Sequence, residues 1–121
     1  MTIGNAARVA LAGIRLCNGL WALLFPRHLG RTIGLSPDDR AVIYPLRMFG
    51  IRTVLLGVDL LTVTEDRRER ALREGVVIHL SDAASAAAAG VRGDLRPRSA
   101  IVATTISTVN TCLALVGLAR R

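Results

Sequence analysis

The sequence predicts an all-α protein, a four-helix transmembrane bundle running up, down, up and down, in one domain of 121 residues. Three observations predict it. Apolar residues make up 51% of the chain and mean hydropathy is +0.43 although 21% of residues are charged, a combination that resolves when charges gather at segment ends. Four stretches, about residues 6–25, 45–63, 65–90 and 98–119, are apolar nearly all the way round and leave no wide polar face for water. Within the last of them, residues 99–119 form a run of 21 without a charge, the length that crosses a ~30 Å hydrocarbon layer.

The first helix, 6–25, closes at Phe25-Pro26, and residues 16–26 are 11 uncharged positions in a row. Arg15 falls near its middle. The stretch "RHLGRTIGLSPDDR" then reads as a polar connector in which Ser36 is an N-cap, Pro37 the first helical residue, and Asp38 and Asp39 face the positive dipole end. Pro45 has no N–H for the carbonyl of Ala41, so a short interfacial turn over 37–44 is expected before a second spanning helix over 45–63. Thr64 caps the third helix, whose opening "EDRRERALRE" offers the i,i+4 pairs Asp66 with Arg70, Glu69 with Arg73, and Arg70 with Glu74. That helix continues through "GVVIHLSDAASAAAAGV", where closely spaced alanines admit another helix backbone, and ends at Gly90 and Gly93. Pro97 opens the fourth.

The net charge of +7 comes from 16 basic residues, all of them arginine. Nucleic acid is set aside as a partner, because the arginines are dispersed and aromatics reach only 3%. Arginines flanking apolar segments instead suit anionic lipid headgroups, so the expected partner is the bilayer. Four arginines concentrated between residues 65 and 74 place both termini in the cytoplasm of a multi-pass plasma-membrane protein. No signal peptide is expected, since Arg15 interrupts the first apolar run. Cys17 and Cys112 read as buried free thiols, and no metal or cofactor motif appears. Trp21 and Tyr44 suit interfacial anchors, and His28 a headgroup-level side chain. The competing solution is a soluble oligomer hiding the same faces, because the fourth segment carries seven Ser, Thr and Asn residues.

Charges inside the segments carry the functional question. Arg15, Arg47, Arg52, Asp59, His79 and Asp82 all fall there, and an isolated charge at that depth costs ~2.5–3.5 kcal/mol. They need partners. If the second and third helices pack as a hairpin, matched depths put Asp59 near His79 and Arg52 near Asp82, with Arg15 sharing Asp82. "GIRLCNG" and "GIRTVLLG" then each supply a close-packing glycine and a buried cation to one polar seam, with Asn18, Thr104, Thr108 and Thr111 as further lining.

The order "FPRHLGRTIGL", "RMFGIRTVLLG", "HLSDAASAAAAG" resembles small four-helix bacterial membrane proteins of the domain-of-unknown-function type, in the neighbourhood of DoxX-like proteins. The resemblance implies four spanning helices without an assigned activity. In those families an acid often directly follows the second arginine, whereas here Thr53 follows Arg52, so only Arg52 and Asp82 carry over as candidates.

The expected role is non-enzymatic: an accessory or scaffold subunit, or a module holding a small apolar or lipid-like ligand, self-associating through Gly and Ala surfaces or joining a larger membrane complex. Two alternatives stand beside it. One is a membrane-embedded enzyme using Asp59, His79 and Asp82 as acid/base groups on an apolar substrate, and the other is a small proton-coupled carrier.

Overall fold

Thr2 starts the first helix: its side chain accepts a hydrogen bond from the Asn5 amide at 3.0 Å, satisfying one of the donors that every helix start leaves open. In the computed structural model, which describes residues 2–35 and 40–120, this helix is α1, Ile3–Leu24. It stops because Pro26 holds the preceding Phe25 out of helical geometry. The same proline, with its φ already set for a helix, occupies the first turn of α2, Pro26–Thr32. Then follow α3 (Arg40–Thr62), α4 (Glu65–Arg92) and α5 (Pro97–Ala119).

The predicted four-helix bundle is therefore corrected to five helices among the described residues. The additional one lies where a polar connector was expected. It forms because Pro26, Leu29 and Gly30 share a buried face that the surrounding arginines hide in a composition average. The Ser36-Pro37-Asp38-Asp39 start lies outside the described residues. No break occurs at Pro45, which sits inside α3, so over residues 40–44 helix replaces the expected turn, and the ladder goes without the bond that Pro45 cannot donate to the Ala41 carbonyl.

Four spanning helices are likewise corrected to three. Helices α1, α3 and α5 are long and apolar enough to cross a membrane, as befits a membrane protein, and α4 is not, because its first half is charged and its second carries His79, Asp82 and Arg92. In that first half Glu69 pairs with Arg73 at 2.6 Å and Arg70 with Glu74 at 3.0 Å, while Asp66 joins neither.

The helices lie side by side in the order α3, α1, α5, α4: α1 packs along α3, α4 along α5, and α1 joins the two pairs through α5. The predicted hairpin of α3 on α4 is not formed. These helices are consecutive, linked only by Val63 and Thr64, yet they barely touch. What holds α1 to α3 is the absence of side chains at one crossing: a Cβ on Gly19 would lie 2.7 Å from the Val54 amide nitrogen, and one on Gly50 would lie 2.6 Å from that of Leu23. Gly57 repeats the close approach, with its Cβ direction 3.1 Å from the Ala12 carbonyl.

A few leucines apart, small and polar residues fill the inside while most large apolar ones face out. The buried apolar cluster is Leu11, Ala12, Leu60, Leu72 and Ala114, whereas Phe49, Leu55, Leu61, Ile101 and Leu115 are exposed. Only 11% of the most apolar window of α3 is buried, which is the distribution expected where hydrocarbon is the solvent. Cys17 and Cys112 are exposed rather than buried, each on the outward side of its helix.

Two glycines with positive φ shape the connectors. Gly34 (φ 86°) follows Ile33, whose carbonyl accepts from the buried Ser99 hydroxyl of α5, so α2 is tied to the far side of the molecule. Gly93 (φ 79°) ends α4 in the left-handed conformation and nothing lies within 4 Å of its Cβ direction. Gly93→Ala is therefore expected to cost only the backbone strain of an L residue there, about 1–2 kcal/mol, read as a lowered unfolding temperature in detergent.

Candidate functional site

Arg15 lies on the face of α1 that also carries Leu11, Ala12, Gly19 and Ala22, at the three- and four-residue spacing that stacks side chains along one stripe. It is 2% exposed. Its guanidinium crosses to α4 and donates through Nε and Nη2 to a single acceptor, Nε2 of His79, at 3.2 and 2.9 Å. A guanidinium has only donors, so Nε2 must carry a lone pair, which makes the imidazole neutral with its proton on Nδ1. That Nδ1 faces Asp82 Oδ2 at 3.8 Å, beyond hydrogen-bond length. Gly75, one turn before His79, lets the guanidinium lie against the helix, since a Cβ there would be 2.9 Å from Nη2.

None of the ion pairs among the described residues includes Arg15, and the carboxylate of Asp59 acts on it only through space. A permanent cation is thus buried mid-helix on a neutral partner.

Because α3 and α4 stay apart, a cleft of about 630 Å3 opens between them. Its polar lining includes Arg15, Asn18, His79 and Asn110, and its apolar lining Met48, Phe49, Leu56 and Ile106. The exposed residues Arg52 and Asp82 line it from opposite helices. Asn110 of α5 is 5% exposed, and its Oδ1 has no hydrogen-bond partner. A second chamber of about 500 Å3 adjoins the first, sharing Asn18, Phe49, Asp82, Ile106 and Ser107, and continues past Trp21, Leu29 and Val102 toward α2.

The structure brings Arg15, His79 and Asp82 together, with Asn18 and Arg52 on the same cleft. It does not bring Asp59 to His79: Asp59 is exposed, lies with Arg52 in a neighbouring shallow groove, and makes no ion pair or side-chain hydrogen bond among the described residues. Nor does Arg52 form an ion pair with Asp82. The two Gly-Ile-Arg stretches divide the expected roles between them. In the first the arginine is buried and Gly13 has nothing within 4 Å of its Cβ direction; in the second Gly50 is packed against backbone and Arg52 is exposed. Thr108 and Thr111 turn their hydroxyls to their own helix, onto the carbonyls of Thr104 (2.7 Å) and Ser107 (2.8 Å). Trp21 donates to His28 Nδ1 at 2.9 Å.

Sequence reasoning missed Gly75 and Asn110. For Asn110 a signal existed, an amide within a charge-free run, which demands a partner in hydrocarbon. Gly75 had none beyond its spacing of four from His79. Among the described residues no three His, Cys, Asp or Glu side chains gather as a metal site requires. No family model, curated protein or solved structure matches this chain.

Proposed function

We propose that this chain is an integral protein of the plasma membrane that holds a lipid-like ligand, without chemistry of its own, in the cleft between α3 and α4. The observation that carries the reading is the pairing of a buried polar floor, Arg15, His79 and the unpartnered Asn110, with apolar walls that open sideways. Ligand sites combine a mainly apolar enclosure with a few convergent polar groups, and both chambers fall within the ~300–1,000 Å3 that such sites occupy. In a bilayer the gap between α3 and α4 faces lipid, so an amphiphile reaches it without crossing water. The acid/base alternative loses support from Asp59, which stands apart from His79 and Asp82.

The chain is expected to stay in the membrane pellet through a carbonate wash. Released gently in mild detergent, it should carry one amphiphile per chain in native mass spectrometry, and Ser107→Phe, which fills the junction of the two chambers, should remove it. A wild-type chain that carries no adduct, or a variant that retains it, would overturn the reading.

A further inference from the structure

We infer that the held ligand has a zwitterionic head bridging the cleft, with its acidic oxygens on Arg52 of α3 and an N–H-bearing cation on Asp82 of α4. This rests on the proposed ligand-holding function and adds the chemistry of the head. Three observations converge on it.

The first is which charges a ligand can reach. Arg15 is 2% exposed and directs its donors to His79, while Asp59 acts on it through space, so this cation is answered within the protein. Arg52 and Asp82 are exposed and line the same cleft. Among the described residues Arg52 has no ion-pair partner, and Asp82 has only the neutral His79 beside it at 3.8 Å.

The second is their placement. They stand on opposite walls, because α3 packs on α1 and α4 on α5, and the walls barely touch each other. With Asp59 counted, the two arginines and two acids of this region balance, so the cleft favours no net charge. It favours a dipole laid across it, anionic toward α3 and cationic toward α4. Arg98, the further charge on the second chamber, stands nine residues along α5 from Ser107, which lines both chambers, or ~13.5 Å along the axis.

The third is depth. Both side chains project from the middle parts of their helices, where an unanswered charge is costly. An anionic head would answer Arg52 and repel Asp82, a cationic head would do the reverse, and a neutral head would answer neither. One head carrying both signs answers both. An ionised carboxylate only accepts hydrogen bonds, so a cation with N–H donors suits Asp82 better than a quaternary ammonium.

The test titrates five probes, each with one 14-carbon chain, into the protein in a nonionic detergent: the lysophospholipids of ethanolamine, choline and glycerol, then monomyristin and myristylamine. Binding is followed by calorimetry and by emission of Trp21, the only tryptophan, which lines the apolar chamber. The ethanolamine lysolipid is expected to bind about tenfold more tightly than each of the others, the scale of one added charged hydrogen bond. Asp82→Asn leaves the cleft with a surplus cation and should turn the order toward the glycerol lysolipid. Arg52→Gln leaves a surplus acid and should turn it toward myristylamine. Both positions are exposed, so both variants are expected to unfold at the wild-type temperature.

The outcomes separate the two readings. The glycerol lysolipid, monomyristin or myristylamine binding the wild type as tightly as the ethanolamine lysolipid would overturn the zwitterionic head while the ligand-holding function stands. Equal binding of the choline lysolipid would overturn the hydrogen-bonding cation. Folded variants that weaken every probe alike would overturn the assignment of one end of the head to each residue. If none of the probes binds, both readings fall together.

Discussion

Replacing Gly50 by leucine is expected to separate α1 from α3 and remove most folded protein from a detergent extract. Even a first carbon there meets the Leu23 amide nitrogen at 2.6 Å and the Gly19 carbonyl at 2.7 Å. Both obstacles are main chain, so no rotamer change relieves them. Overpacking costs about 1–3 kcal/mol where side chains can shift, and a clash between two backbones belongs at the upper end of that range or beyond. The internal control is Gly13→Leu. It places the same side chain in the same Gly-Ile-Arg context, but with nothing within 4 Å of the Cβ direction, and a helix favours leucine over glycine. Gly13→Leu should therefore leave the unfolding temperature unchanged or raise it, whereas Gly50→Leu should yield protein that aggregates on size exclusion. Equal behaviour of the two variants would remove the close crossing from the account.

The second large effect concerns the cation on its neutral partner. His79→Leu deletes the only hydrogen-bond acceptor of Arg15 among the described residues while the charge stays buried, and a lost hydrogen bond to a charged group costs about 1.5–3 kcal/mol. Arg15→Met deletes the charge itself and leaves a neutral imidazole that still has Asp82 beside it. Removing a buried charge in favour of an apolar side chain is often neutral or stabilising. The expected order of unfolding temperature is therefore His79→Leu lowest, with Arg15→Met and the double variant both close to wild type. The double variant being more stable than His79→Leu alone is the decisive sign, because a merely space-filling histidine would make the two losses add.

Much of the architecture was legible from spacing. Phe25-Pro26 marked the end of α1, the charged opening after Thr64 marked α4, and Pro97 the start of α5; of the two glycines expected to end α4, Gly93 does so and Gly90 lies within the helix. The short α2 was not, since seven residues containing two arginines and a histidine average to a polar connector, and only the tertiary fold gives Leu29 and Gly30 something to pack on. Pro45 misled because a single lost ladder bond does not end a helix whose following residues pack closely on α1 through Gly50 and Gly57. At the site, burial of Arg15 and His79 followed from their places in apolar runs. Their pairing with each other did not. Depth matching assumed that neighbours in sequence are neighbours in space, whereas α3 and α4 each pack on another helix and leave α1 to supply the guanidinium. Gly19 and Gly50 could not be told from Gly13 by sequence either, because residues on the two sides of a helix look alike until a partner chooses a side.

The outward placement of Leu55, Leu61, Ile101 and Leu115 has a thermodynamic consequence. In a bilayer those side chains stay in hydrocarbon whether the helices are docked or apart, so separation wets little apolar surface and the heat-capacity increment that curves the melting of water-soluble proteins should nearly vanish. Cohesion then depends on how closely atoms approach rather than on how much oil is hidden. Such a molecule tolerates exchange among its outer leucines, isoleucines and valines, and resists a single added methyl group where its backbones meet.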